Sequence, residues 1–410
     1  MRTILSLFTF GLCFHQSLSL SEDLSPNVFQ SLFSVKTKDL VKIGYEEDAL
    51  LDFMGLTRKY GYPTEEHEVV TPDGYILSIF RIRHRRCNTT RPVLMLHGIL
   101  DSADTFINPG VGLAYLLADA CHDVWCANVR GNRYSREHIK WDPDKDKEFW
   151  QFSFHEHGTV DLAATVDYIL SETKADKVNY IGHSQGTTSF FVLTSTRPEY
   201  NAKFNVAVCL SPVAYLYHVG NPMIKVIAHF NAQVKALLDT FKINEILGRH
   251  ELPGRVLEFA CQFVPNICAI VRYAMFLQNR INTTDKRLRT IAGHVPAGTS
   301  TKNLHHFSQI INENVFRMYD AGISNNLKLY NQTTPPDYDL SKVTAPVVLV
   351  CAKGDVFATP ADLKKLREQL PNVLEVFTLT DSNWGHLDYT AGNGIPKYLA
   401  PKVMEYLKAK

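Results

Sequence analysis

Residues 177–196 read KVNYIGHSQGTTSFFVLTST, in which Gly182-His183-Ser184-Gln185-Gly186 separates an apolar run rich in β-branched residues from a run with helical character. A G-x-S-x-G sequence between a strand and a helix forms a sharp turn that presents its serine at the edge of a sheet. Chance alone produces such a match in roughly one of seven or eight chains of this length, so the context carries the prediction. The alternative is a plain glycine turn into a helix. We take Ser184 as the candidate nucleophile.

The sequence on both sides of this stretch alternates strands with helices. A turn at Pro72-Asp73-Gly74 joins two alternating runs into a predicted hairpin over residues 64–83. Further strands are predicted at residues 92–96, 123–129, 177–182, 204–210, 346–351 and 373–379. Helices are predicted at residues 113–119, 159–173, 186–196 and 360–369, and from 395 onward. This order predicts an α/β fold with a mostly parallel sheet and helices on both of its faces.

One segment breaks this alternation. Residues 211–345 show helical periodicity without convincing strands, and the apolar side chains within residues 225–242 recur at steps of three and four. We predict an inserted helical cap over the carboxyl edge of the sheet; the alternative is a second helical domain that contacts no site. The predicted boundaries are listed from the amino terminus: a leader at 1–20, α/β core at 21–213, cap with lid at 214–344, and α/β core at 345–410.

A serine hydroxyl needs a base, and a group that orients the base, to act as a nucleophile near neutral pH. After a serine turn of this kind, the acid and then the histidine follow later strands of the same sheet. Asp355 comes directly after the strand at 346–351, and His386 lies in the loop after the strand at 373–379. Asp381 and Asp388 are rival acids, but neither ends a strand. The predicted catalytic residues are Ser184, Asp355 and His386.

Acyl transfer also needs backbone donors for the oxyanion that develops on the substrate. Gly98 follows the strand at 92–96 and permits close approach of the backbone, which makes the Ile99 N–H one candidate donor. The Gln185 N–H lies at the positive end of the helix after the serine turn and is the other candidate.

The amino-terminal residues have the order of a secretory signal peptide. Arg2 precedes the apolar stretch 4–14, and small and polar residues follow it. That stretch is too short to span a bilayer, which takes about 20 residues, and no later segment qualifies as a transmembrane helix. The alternative is a permanent membrane anchor. Three N-x-S/T triplets agree with export and are predicted glycosylation acceptors: Asn88, Asn282 and Asn331.

Charge and motifs exclude several classes of function. With 43 Lys and Arg against 42 Asp and Glu, the net charge is +1, and we expect no nucleic-acid partner. The basic stretch 81–91 is interpreted as a solvated loop. The chain contains no Walker A, H-E-x-x-H or paired C-x-x-C sequence, so neither a metal nor a nucleotide cofactor is expected.

The 8 cysteines fall into different classes. Cys209 and Cys351 lie in apolar runs that predict strands, and we expect them to be buried thiols. Cys261 and Cys268 are the best candidates for a disulfide, because Pro265 between them should break a helix and fold the segment back.

Ten stretches of the chain together resemble the acid lipase family of α/β-hydrolases, which contains the gastric and lysosomal acid lipases. The stretches are TPDGYIL (71–77), LHGIL (96–100), DVWCANVRGNRYSR (123–136), EFWQFSFHE (148–156), GHSQGTT (182–188), LSPVA (210–214), HVPAGTSTKNLHHFSQ (294–309), PPDYDL (335–340), GDVFATPADL (354–363) and HLDY (386–389). The resemblance covers nearly the whole chain after the leader.

This resemblance implies an α/β-hydrolase fold and hydrolysis of neutral lipid esters at a lipid–water interface, in an extracellular or lysosomal setting. It implies Ser184, Asp355 and His386 as the triad and the Ile99 and Gln185 amides as the oxyanion hole. It also implies a disulfide like Cys261–Cys268 and a lid near residues 248–276. A leucine is usual where this chain has Ile99, which leaves a backbone donor unaffected.

Two other functions are compatible with the same residues. One is an esterase or thioesterase for small soluble esters, and the other is a catalytically idle lipid-binding protein on the same scaffold. Six apolar residues of the cap are predicted either to line an acyl tunnel or to form ordinary cap core. They are Phe230, Phe241, Phe259, Phe263, Phe276 and Leu277. The sequence carries no prediction of the oligomeric state.

Overall fold

The computed structural model describes residues 37–408 except 84–90, 249–251, 264–269, 271–274, 277–282 and 382. The chain forms two compact units, Met1–Glu47 and Asp48–Lys410. In the first unit the structure describes one helix, α1 (Thr37–Lys42). The α/β fold lies in the second unit.

The main sheet of the second unit begins with an antiparallel hairpin and continues with parallel strands. Its strands are β1 (Thr64–Val70), β2 (Tyr75–Ile82), β3 (Pro92–Leu96), β4 (Asp123–Ala127), β6 (Val178–His183), β7 (Phe204–Leu210), β10 (Val347–Ala352) and β11 (Val373–Leu379). Their spatial order is β1-β2-β4-β3-β6-β7-β10-β11, and the short β5 (Glu137–His138) pairs with β2. All pairings from β4 to β11 are parallel. The predicted hairpin and strands are confirmed.

Helices cover this sheet and form the cap. They are α2 (Phe53–Lys59), α3 (Leu113–Asp119), α4 (Phe154–Glu156), α5 (Ala163–Thr173), α6 (Gln185–Thr196), α7 (Pro222–His229), α8 (Asn231–Thr240), α9 (Leu252–Phe263), α10 (Asp285–Ala292), α11 (Thr301–Asn312), α12 (Ile323–Tyr330), α13 (Pro360–Gln369), α14 (Asp388–Ala391) and α15 (Ala400–Lys408). A π-helical segment, His157–Leu162, joins α4 to α5, and another, Ile395–Leu399, precedes α15.

The sheet is buried on both faces, which explains why its strands read as continuous apolar runs. Successive side chains of a strand point to opposite faces. Along β6, Tyr180 accordingly packs in one hydrophobic cluster and Ile181 in the cluster on the other side. Each such fully buried side chain contributes roughly 1.5–3 kcal/mol of hydrophobic stabilisation. The two clusters fix the strands whose carboxyl ends carry the candidate site.

The cap differs from the sequence prediction in two respects. The helix expected over residues 225–242 is two helices, α7 and α8, because Phe230 leaves helical geometry at φ −94° and ψ 25°. Two strands of two residues each, β8 (Glu245–Ile246) and β9 (Thr299–Ser300), pair antiparallel where no strands were predicted. The boundaries proposed for the cap, 214 and 344, stay predictions.

Several predictions concern residues outside the described part of the chain. The leader at 1–20, Asn88, Asn282 and Cys268 all lie there. Asn331 is described, and it is exposed at the carboxyl end of α12 with a left-handed φ of 56°. Its glycosylation stays a prediction.

The described cysteines include both bonded and free ones. Cys209 and Cys351 are buried free thiols, as predicted, and Cys126 is a third. Cys121 and Cys261 are disulfide-bonded. The bond at Cys121 was missed by the sequence analysis, and the pairing of Cys261 with Cys268 stays a prediction.

Candidate active site

The serine turn between β6 and α6 is a strained, tightly packed elbow. Ser184 has φ 52° and ψ −117°, a conformation that costs energy for any residue with a side chain. A Cβ added at Gly182 would lie 2.9 Å from the Gly186 carbonyl carbon, and one added at Gly186 would lie 2.2 Å from the Leu96 carbonyl oxygen. Both glycines are therefore required by close backbone approach, and the turn places Ser184 at the carboxyl edge of the sheet.

The structure brings the three predicted catalytic side chains into one hydrogen-bonded line. His386 Nε2 lies 3.0 Å from Ser184 Oγ. His386 Nδ1 lies 3.1 Å from each carboxylate oxygen of Asp355. All three residues are buried. This geometry requires the Nδ1–H tautomer of His386, which leaves Nε2 free to accept the Ser184 hydroxyl proton.

The carboxylate of Asp355 is held in its charged form. Burial opposes the charge, but the imidazole of His386 and hydrogen bonds from His386, Ser211 and Phe357 outweigh it and lower the pKa of Asp355 to about 2. The Phe357 N–H donates to Oδ1 at 2.9 Å. Asp355 is thus ionised across the pH range in which a histidine acts as a base.

The rival acids have other contacts. Asp381 accepts a hydrogen bond from the Asn383 N–H at 2.9 Å, and Asp388 accepts one from the Gly385 N–H at 2.9 Å. The imidazole of His386 contacts Asp355 instead.

One predicted oxyanion donor, the Gln185 N–H, directly follows Ser184, and the other, the Ile99 N–H, follows a glycine that packs against Ser184. Gln185 is the first residue of α6, so its N–H lies at the positive end of the helix. Ile99 follows Gly98, where an added Cβ would lie only 3.2 Å from the Ser184 Cβ. Among the described residues, neither the Ile99 nor the Gln185 N–H donates to a backbone carbonyl in a turn, loop or cap. Their role as the oxyanion hole stays a prediction.

The side chain of Gln185, which the sequence analysis did not consider, is clamped between the core and the cap. Its Nε2 lies 3.2 Å from His157 Nδ1, and its Oε1 accepts a hydrogen bond from Asn303 Nδ2 at 2.7 Å. Asn303 belongs to α11 of the cap and also donates to Thr299 Oγ1 at 3.0 Å. The cap therefore fixes the residue whose amide is a candidate oxyanion donor.

Ser211 and His183 are further residues at the site that sequence reasoning missed. Ser211 Oγ donates to Asp355 Oδ2 at 2.6 Å. His183 Nε2 donates to the His386 carbonyl oxygen at 3.1 Å, and burial lowers the pKa of His183 to about 3, so it stays neutral. Their positions in the sequence could have indicated a role, because Ser211 follows the carboxyl end of β7 and His183 is the last residue of β6.

Aromatic side chains cover the candidate base. Phe276 and Phe357 contact the imidazole of His386, with centroid distances of 5.9 Å and 4.7 Å. Four other cap phenylalanines are 40–54% exposed, so the prediction that they form cap core is wrong for them; they are Phe230, Phe241, Phe259 and Phe263. Leu277 lies outside the described residues.

Comparison with known proteins places this geometry in a family. The model of the α/β-hydrolase fold matches residues 91–391, and the model of a partial α/β-hydrolase lipase region matches residues 53–110. Gastric triacylglycerol lipase of Mus musculus is 37% identical over 344 residues, which are 80% of this chain and 85% of that lipase. The chain belongs to the acid lipase family of α/β-hydrolases.

Other relatives of the chain cover similar lengths. Lipase 1 of Drosophila melanogaster is 36% identical over 88% of this chain and 81% of its own length. Gastric triacylglycerol lipase of Bos taurus is 34% identical over 90% of this chain and 94% of its own length. The predicted fold, family and class of enzyme, a carboxylic ester hydrolase, are confirmed.

No described helix has both the length and the hydropathy needed to cross a membrane. Within the same residues, no group of three or more His, Cys, Asp and Glu side chains is arranged to hold a metal ion.

Proposed function

We propose that this chain is a lipase that hydrolyses esters of neutral lipids, triacylglycerols or sterol esters, through an acyl-enzyme on Ser184. The observation that carries the proposal is the hydrogen-bonded line Ser184–His386–Asp355, which lies under the aromatic rings of Phe276 and Phe357. Reactive polar side chains that are buried beneath aromatic rings suit an ester whose acyl chain and alcohol are both apolar.

In the first half-reaction, Ser184 Oγ attacks the ester carbonyl carbon while its proton moves to His386 Nε2. The negative charge that develops on the carbonyl oxygen is bound by the Ile99 and Gln185 N–H groups. The tetrahedral intermediate collapses as the bond to the alcohol oxygen breaks, and the alcohol leaves with the proton from His386. Asp355 stabilises the imidazolium and holds its orientation throughout.

In the second half-reaction, water takes the place of the alcohol. His386 Nε2 accepts a proton from the water as its oxygen attacks the acyl carbon, and the same amides bind the second oxyanion. Collapse breaks the bond to Ser184 Oγ, which regains a proton from His386. The products are a fatty acid and the free alcohol, and no cofactor enters the reaction.

We also propose an extracellular or lysosomal setting for the enzyme. The amino-terminal order of one arginine, an apolar stretch and small residues supports export. Disulfide bonds at Cys121 and Cys261 agree with it, because disulfides persist in oxidising compartments. The exposed position of Asn331 is compatible with a glycan.

A comparison of three substrates tests the proposed function. Purified protein is incubated with emulsified triolein, emulsified cholesteryl oleate and a short soluble ester at about pH 4.5 and about pH 7.5, and the released acid is titrated. We expect hydrolysis of at least one emulsion and a rate that rises as substrate passes from monomers to droplets. Activity on the soluble ester alone would favour a small-ester esterase, and no activity on any substrate would favour a lipid-binding protein.

A further inference from the structure

Ser211 occupies a rigid and strained position at the carboxyl end of β7. Its φ of 52° lies in the left-handed region that favours glycine. Its N–H donates to the Val350 carbonyl oxygen of β10 at 2.9 Å, and the residue is fully buried. A side chain kept at a strained, buried position beside a reaction site is a reason to ask what its hydroxyl does.

The hydroxyl of Ser211 touches both members of the acid–base pair. Its oxygen lies 2.6 Å from Asp355 Oδ2 and 2.9 Å from His386 Nδ1. A hydroxyl has one proton and two lone pairs, and a carboxylate can only accept. The proton therefore points to Asp355, and a lone pair faces the Nδ1–H of His386.

We propose that Ser211 is a positioning residue of the hydrolytic site, which orients the Asp355 carboxylate and holds His386 in the Nδ1–H tautomer. This inference rests on the proposed function, because it concerns the same three side chains. A donor to Oδ2 fixes the plane of the carboxylate, while an acceptor beside Nδ1 makes a proton on that nitrogen favourable. Nε2 of His386 then presents a lone pair to the Ser184 hydroxyl.

The surroundings of Asp355 leave its Oδ2 with few hydrogen-bond donors besides the Ser211 hydroxyl. Oδ1 accepts hydrogen bonds from the Phe357 and Ala358 N–H groups at 2.9 and 3.3 Å, whereas Oδ2 relies on Ser211 and His386. The titratable groups that face this carboxylate are His386, His183, Tyr389 and Cys351. The imidazole of His386 stabilises its charge. Burial favours the protonated form of Asp355, so removal of the hydroxyl that stabilises its charge raises the pKa of Asp355.

The test compares two variants that lack the hydroxyl. Ser211→Ala keeps the strained φ, and Ser211→Gly relieves it, so loss of the hydroxyl is separated from backbone strain. Ser189→Ala is the matched control, because Ser189 is a buried serine of α6 whose hydroxyl has no partner among the described residues. For both Ser211 variants we expect kcat on a fluorogenic ester to fall about 10- to 100-fold with KM within about twofold of wild type.

The dependence of kcat on pH is a second measurement, and a merely structural role of Ser211 would not change it. In both Ser211 variants, kcat should decline at a higher pH on the acid side than in wild type, since a carboxylate with a raised pKa is protonated earlier. Ser189→Ala should keep the wild-type profile. If both Ser211 variants keep the wild-type kcat and profile, the inference is wrong.

A double-variant cycle tests whether Ser211 acts through Asp355. In an Asp355→Asn background, Ser211→Ala should cost less than about twofold, because the carboxylate that it orients is gone. A full 10- to 100-fold loss in that background would overturn the inference. Ser184→Ala is assayed in parallel: if it keeps activity, the proposed function fails, and if it is inactive while both Ser211 variants equal wild type, only the role of Ser211 fails.

Discussion

The ring of Phe276 lies nearly parallel to the imidazole of His386, with 5.9 Å between the ring centroids and 16° between the planes. Phe276 also packs against Phe357 at 5.9 Å. The preceding residue is anchored, because Asn221 Nδ2 donates to the Met275 carbonyl oxygen at 2.9 Å. An apolar residue of the cap thus lies directly over the candidate base, and its backbone is tied to the start of α7.

Phe276→Ala should therefore admit small soluble esters more easily. Removal of the ring uncovers the imidazole, and we expect kcat/KM for a short-chain ester to rise about 2- to 10-fold, measured by initial rates. Phe263→Ala is the control, because Phe263 is an exposed cap aromatic whose ring contacts that of Phe259 at a tilted angle instead. Equal effects of the two variants would argue against a covering role of Phe276.

Ser184→Ala should abolish ester hydrolysis without unfolding the protein. The nucleophilic oxygen is lost, and acid release from emulsified triolein should fall by at least about four orders of magnitude. The left-handed backbone is the same for alanine as for serine, so the thermal unfolding temperature should stay close to that of wild type. Residual activity near the wild-type level would remove Ser184 from the mechanism.

Asp355→Asn should reduce kcat by about four orders of magnitude, because an amide donates where the Nδ1–H of His386 needs an acceptor. Asp381→Asn is the matched control, because Asp381 is the rival acid in the loop after β11 that also carries His386, and this variant should keep kcat within about threefold of wild type. Both variants are measured with a soluble ester, which keeps the result independent of lipid binding. The opposite ranking would assign the acid to Asp381.

The positions of Ser184, Asp355 and His386 were predictable because each follows a strand with a clear apolar pattern. Parallel strands in one sheet bring their carboxyl ends to the same edge, so strand order alone predicted that these residues lie close together. The sharp turn at Ser184 was predictable from Gly182 and Gly186, because the backbone passes too close to both positions for a larger residue.

Other features depend on contacts between distant residues that leave no local pattern. Ser211 and Asn303 are ordinary polar residues in the sequence, and only the folded chain places them on Asp355 and Gln185. The break between α7 and α8 at Phe230 was also missed, since apolar spacing continues through it. Periodicity predicts which side chains share a face, but it does not determine whether that face is buried.

Asn303→Ala should test the clamp on Gln185. Loss of the 2.7 Å hydrogen bond frees the Gln185 side chain and loosens its neighbouring amide, so we expect kcat to fall about 3- to 30-fold. Asn312→Ala in the same helix removes a hydrogen bond to the Ala228 carbonyl oxygen, which is remote from the serine. Both variants should lose about 1–3 kcal/mol of unfolding free energy, but only the first should lose kcat. Equal kcat losses would contradict the clamp.

Asp101, two residues after Ile99, should make stability depend on pH. Burial raises its pKa to about 7, above the value of about 4 in an unfolded chain. The folded state therefore holds an extra proton between these values, and its unfolding free energy should fall as pH rises from about 4 to about 7. Asp101→Asn should remove up to about 4 kcal/mol of that decrease, measured by urea unfolding across pH.

Asp176→Asn is the control for this pH experiment, because the carboxylate of Asp176 is 78% exposed. This variant should retain the wild-type dependence of unfolding free energy on pH. If Asp101→Asn also retains the wild-type dependence of unfolding free energy on pH, burial of Asp101 does not cause that dependence.

The separation of Ser184 from His386 by 202 positions has a consequence during synthesis. A ribosome makes the nucleophile long before it makes the base, because β10, β11 and the loop that carries His386 all follow Ser184 in the chain. A growing chain with the serine elbow already folded therefore lacks His386, the base that accepts the serine proton. On the proposed mechanism, ester hydrolysis therefore begins only after the carboxyl-terminal part of the chain has been made and folded.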